Sequence, residues 1–93
     1  MVIGVLTLDL AVPGNRSLKG KRQVLKGLLE RIKHRYNVSA AEVERLDDWQ
    51  RAVVGISTVS PSQQSANSAL DHVVEMVRAA PGVEVIDYRL EFL

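Results

Sequence analysis

Apolar and polar residues alternate from Val2 to Val12, with Val2, Gly4, Leu6, Leu8, Leu10 and Val12 on one side and Ile3, Val5, Thr7, Asp9 and Ala11 on the other. A period of two predicts a β-strand with one well-buried face. Pro13, Gly14 and Asn15 form a turn cluster that ends it. Ser17 is placed to cap a helix whose apolar residues Leu18, Val24, Leu25, Leu28, Leu29, Ile32 and Tyr36 keep the three-and-four spacing of one buried stripe. Asn37 suits a left-handed terminator.

From Val38 to Leu46 the pattern weakens, and both an edge strand with a bulge and a short helical turn fit. Alternation returns at Arg51–Ser60, predicting a central strand with Ala52, Val54, Ile56 and Thr58 inward. Ser60, Pro61 and Gln63 form a helix start of the capping-box type. Ala66, Ala69, Leu70, Val73, Val77 and Ala80 supply an amphipathic helix that Pro81-Gly82 ends. Val83 to Leu93 reads as the last strand, with Ile86, Tyr88, Leu90 and Phe92 inward. The open face is then Ile3, Val5, Thr7, Val53, Gly55, Ser57, Val59, Val85, Asp87, Arg89 and Glu91.

The order strand, helix, strand, strand, helix, strand is the split βαβ arrangement. It predicts an α+β, ferredoxin-like βαββαβ fold: a four-stranded antiparallel sheet with two helices on one face. At 93 residues, 46% of them hydrophobic, the chain has material for one core, so residues 1–93 are expected to form a single domain. It has no cysteine, which excludes disulfide frameworks, thiolate zinc or iron–sulfur sites and cysteine nucleophiles, and fits a reducing compartment, the cytoplasm. Neither a secretory signal nor an apolar run of membrane-spanning length stands out.

Charge changes the picture more than composition does. The formal net charge is only +1, yet from Arg16 to Tyr36 eight bases face Glu30 alone, a local balance of +7 that leaves −6 for the rest. Lys19, Arg22, Lys26 and Lys33 fall in one narrow stripe of the predicted helix, with Arg31 and Arg35 on its other flank. Bases at a helix start oppose the helix dipole at a few tenths of a kcal/mol each, roughly, which points to a bound anion. The competing expectation is a solvated face. The stretch from Gly14 to Arg22 imitates a phosphate-binding P-loop, but Gly20 falls one position late and Arg22 follows Lys21 where a hydroxyl residue belongs, so the match is rejected.

Trp49, the sole tryptophan, reads first as an anchor stapling a hairpin end onto the helices, and second as a surface for a base or a partner. His34, His72, Asp47 and Asp48 lack metal-ligand spacing, and no arrangement of Ser, His and Asp has catalytic order, so no metal, cofactor or catalytic residue is expected. The open sheet face lacks the aromatic pair on which RNA-recognition sheets stack bases. Its apolar members suggest a homodimer or a protein partner instead.

Three blocks, Ser17-Leu18-Lys19-Gly20-Lys21-Arg22, Tyr36-Asn37-Val38-Ser39-Ala40-Ala41-Glu42-Val43 and Asp47-Asp48-Trp49-Gln50-Arg51-Ala52, make the chain similar to the bacterial YlxP-like family, domain of unknown function 503. The resemblance covers essentially the whole chain. It implies a small cytoplasmic protein of ferredoxin-like fold, encoded near genes for translation initiation and ribosome maturation, with no established activity. The family motif falls on Ser17, Leu18, Lys19, Lys21 and Arg22, and its Trp-Gln pair on Trp49 and Gln50; Ala40 departs from a usual larger β-branched residue.

Together these readings favour a non-enzymatic accessory factor that contacts RNA or another polyanion through Arg16, Lys19, Lys21, Arg22, Lys26 and Lys33, with ribosomal RNA or ribosome-associated proteins as partners. The alternatives are a small-anion or phosphate-ester site, as in an acylphosphatase-like hydrolase, and a protein-interaction module assembling through its open sheet face.

Overall fold

A computed structural model describes residues 1–93, whose elements are β1 (Val2–Ala11), α1 (Leu18–Arg35), β2 (Ser39–Glu44), β3 (Arg51–Ser60), α2 (Gln63–Ala79) and β4 (Glu84–Phe92). The strands form one antiparallel sheet in the order β2-β3-β1-β4. Both helices cover the same face, so the ferredoxin-like expectation holds. The alternation in the sequence sets this layering: Leu6, Leu8 and Leu10 of β1 and Ala52, Val54 and Ile56 of β3 point to the helices and are fully buried. Leu25, Leu28 and Ile32 of α1 and Leu70, Val73 and Val77 of α2 meet them in one core. Each such side chain contributes about 2 kcal/mol on burial.

Caps fix where the helices begin. Ser17 Oγ accepts from the Gly20 amide at 2.9 Å, as its position before the apolar stripe predicts. The second helix starts later than expected: Ser62, not Ser60, is its cap, accepting from the Ser65 amide at 3.1 Å. Asn37 does not adopt the left-handed conformation, since α1 ends on extended Tyr36. The Asn37 carbonyl accepts instead from Thr58 Oγ1 at 3.1 Å, tying the turn to β3.

Both edge strands contain a bulge. In β2 the register shifts between Glu42 and Glu44, so the weak pattern there is an edge strand with one extra residue, Val43. In β4 it shifts between the partners of Asp9 and Leu10, so that Asp87 pairs with Asp9 but Val85 pairs with Leu10. An extra residue reverses the side on which preceding side chains fall. Val85 therefore packs on the core, not on the open face, and Ile86 is 49% exposed. Tyr88, Leu90 and Phe92, beyond the bulge, keep the helix-side register. The Tyr88 ring lies near the sheet margin, with the Arg78 guanidinium 5.7 Å from its centroid.

Candidate functional site

The end of β1, the start of α1 and the β2–β3 turn meet at one end of the molecule. The turn is shaped by Asp48, whose Oδ1 accepts from the Gln50 amide at 3.0 Å and the Arg51 amide at 3.1 Å. The Gln50 amide chiefly, then the Arg51 amide and the Arg45 side chain, stabilise the ionised form, so Asp48 titrates below its ordinary value despite an opposing desolvation. Arg45 opens the turn in the left-handed region at φ +60°. Asn15 locks it to the helix start: its side-chain amide donates to the Ser17 carbonyl at 2.6 Å and the Trp49 carbonyl at 2.7 Å. Gln50 Nε2 donates back to the Asn15 carbonyl at 3.1 Å, and the Val12 amide donates to the Gln50 carbonyl at 2.8 Å. Gly20 is where the chain comes closest, because a Cβ there would overlap Asn15 Oδ1. Segments more than thirty residues apart in sequence thus form one rigid junction.

Lys21 departs from its expected role as a contact for a polyanion. It is fully buried, and its ammonium donates to the carbonyls of Arg45 at 2.8 Å and Arg51 at 3.2 Å and pairs with Glu42 Oε2 at 2.8 Å. Its hydrogen bonds all go to main-chain carbonyls of the fold, the Leu46 carbonyl at 3.5 Å being the longest, and its charge is met by Glu42, so Lys21 cannot bind a phosphate without leaving its socket. The reason is helical geometry: Lys21 lies four, seven and eleven residues before Leu25, Leu28 and Ile32, on the buried stripe itself. That spacing is the signal in the sequence that distinguishes it from its neighbours. The +7 segment therefore shows a surface excess of +6.

The other expected site residues, Arg16, Lys19, Arg22, Lys26 and Lys33, are all exposed. The ion-paired bases of the molecule are Lys21, Arg45, Arg51, Arg78 and Arg89. Every remaining base (Arg16, Lys19, Arg22, Lys26, Arg31, Lys33 and Arg35) lies between Arg16 and Tyr36 and has no carboxylate within ion-pair distance. Arg31 and Arg35 flank a shallow groove of about 710 Å³ between the helices, with His34 and Met76 in its wall.

Trp49 is stapled through its backbone rather than its ring. The residue is 54% exposed and its indole N–H has no partner within the protein, while Leu46, on the same turn, is 53% exposed. The hydroxyl of Ser17 and the amide of Asn15 are engaged in the cap and the junction. Across the sheet, Arg51 NH2 pairs with both oxygens of Asp9, at 3.0 and 3.1 Å, on the open face. No group of three or more carboxylate, histidine or cysteine ligands converges for a metal, and no helix is long and apolar enough to cross a membrane.

The architecture and this junction define a small ferredoxin-like α+β protein whose first helix begins on an exposed basic surface. The chain belongs to the family described as protein of unknown function (DUF503), whose model matches residues 3–90. It is 34% identical over 91 residues to the uncharacterized protein YlxP of Bacillus subtilis (strain 168), covering 98% of this chain and 99% of that one. Similar solved structures include the de novo designed proteins Foldit4 (TM-score 0.57, 16% identity, 98% of this chain and 97% of that one) and LFR1 1 with ferredoxin fold (TM-score 0.55, 11% identity, 98% and 85%). At such identities they speak for the fold alone.

Proposed function

We propose that the protein is a non-enzymatic cytoplasmic accessory factor that binds RNA through Arg16, Lys19, Arg22 and Lys26, with Lys33 extending the track along α1. One observation carries this reading: every base left without a carboxylate partner lies on the first helix or beside its start, while every acid except Glu30 lies elsewhere. A surface whose cations are not neutralised from within attracts a polyanion and releases counterions when it binds one. A role at the ribosome rests on the family resemblance and belongs to the same proposal.

Electrophoretic or anisotropy titration against RNA at a series of salt concentrations tests it. Four phosphate contacts predict a slope of log affinity against log salt of about −3 for single strands. The double substitution Lys19→Glu, Arg22→Glu is expected to abolish binding with the fold intact by circular dichroism. Salt-independent binding, or no RNA binding at low salt, overturns the proposal. In cell extracts the native protein should accompany RNA or ribosomal particles at low salt and leave them at high salt.

A further inference from the structure

Resting on that reading, we infer that the RNA segment held at this site is unpaired, and that one of its bases stacks on Trp49. Three features converge. Trp49 is 54% exposed with its indole N–H unpartnered, although the residue's backbone is fixed by Asn15 and by the Asp48-capped turn. A large ring left in water on a fixed backbone, with only two side-chain torsions to order, offers a stacking surface at little cost in conformational entropy. The same Asn15 amide nitrogen is 2.7 Å from the Trp49 carbonyl and 2.6 Å from the Ser17 carbonyl, so the backbone that carries the ring sits beside the helix start, where Arg16 and Lys19 are exposed and unpaired. Finally, Leu46 extends the apolar tip of the turn.

A base and its own phosphate are separated by one sugar, so a strand laid on the helix start can place its phosphates on cations and a base on the ring together. A duplex cannot, because its bases are stacked inside and only its backbone is offered. The sheet face, which RNA-recognition folds use for this purpose, has no aromatic pair here; the turn supplies the ring instead. A membrane fits less well, since Asp47 and Asp48 immediately precede Trp49 and would be pressed against anionic headgroups with it.

Trp49 is the only tryptophan, so its emission reports the site directly. Single-stranded RNA of about 10 nucleotides should quench it. A duplex of the same sequence and heparin, which carries charge without bases, should bind with little quenching. Trp49→Ala should weaken single-strand affinity about tenfold while leaving heparin affinity and the salt slope unchanged, and Trp49→Phe should restore most of the loss. Lys19→Glu with Arg22→Glu should weaken every polyanion. If single strands and heparin bind but Trp49→Ala changes neither, stacking is wrong and the basic site stands. If no polyanion binds, the site itself is wrong. A shift of Trp49 emission on phosphatidylglycerol vesicles without any response to single strands also overturns the inference.

Discussion

Lys21 and Asp48 show how single side chains serve this fold rather than a ligand. Removing the ammonium of Lys21 leaves Glu42 and the carbonyls of Arg45 and Arg51 without their partner. Breaking a buried pair on one side costs roughly 3–5 kcal/mol, and the 14% exposure of Glu42, which lets it regain water, places Lys21→Met near the lower end, about 3 kcal/mol. Urea denaturation should show that loss, and Lys21→Met combined with Glu42→Met should recover part of it. Asp48 gives an acid-range prediction. Its folded carboxyl titrates below the ordinary value of 3.8, so its contribution is complete above that value and disappears as pH falls through the lower folded value. Amide exchange at Gln50 and Arg51 should accelerate over that range, and Asp48→Asn should remove the pH dependence.

Among the elements, the start of α1 is the one whose local preference conflicts with its tertiary contacts. Alanine is favoured over glycine in a helix by about 1 kcal/mol, so Gly20→Ala would ordinarily stabilise α1. Here the added Cβ would displace Asn15 and break its hydrogen bonds to Ser17 and Trp49, each worth about 1 kcal/mol net. The expected outcome is a lowered denaturation midpoint for Gly20→Ala alone and a raised one for Gly20→Ala introduced into Asn15→Ala. The interior strands and both apolar stripes were legible because burial imposes periods of two and near 3.6. The bulges at Val43 and Ile86 were not assigned to their positions, because an extra residue in an edge strand leaves composition unchanged and shows only against its neighbour's register.

Charge in this protein is divided between a basic helix and an acidic remainder. Seven unpaired bases repel one another along α1, a cost that salt screens within a Debye length of about 10 Å at 0.1 M. The Lys21–Glu42 pair is buried and screened far less. Thermal unfolding should therefore move modestly upward as sodium chloride rises from low to physiological concentration, whereas RNA affinity falls over the same range. Lys19→Glu with Arg22→Glu should flatten both responses, which would trace them to one surface.

Local periodicity and simple position in the chain suffice for the order of elements, the buried side of the two inner strands and the concentration of bases between Arg16 and Tyr36. Which of those bases face water is fixed by packing, for which the spacing of Lys21 to the apolar stripe is the one local sign. Lys19, Lys21 and Arg22 are adjacent in one motif and alike in chemistry, but helical rotation points Lys21 inward to three partners contributed by β2, its turn and β3 while the other two remain exposed. The tertiary contacts also hold Trp49 by its carbonyl, through Asn15, while the residue remains 54% exposed.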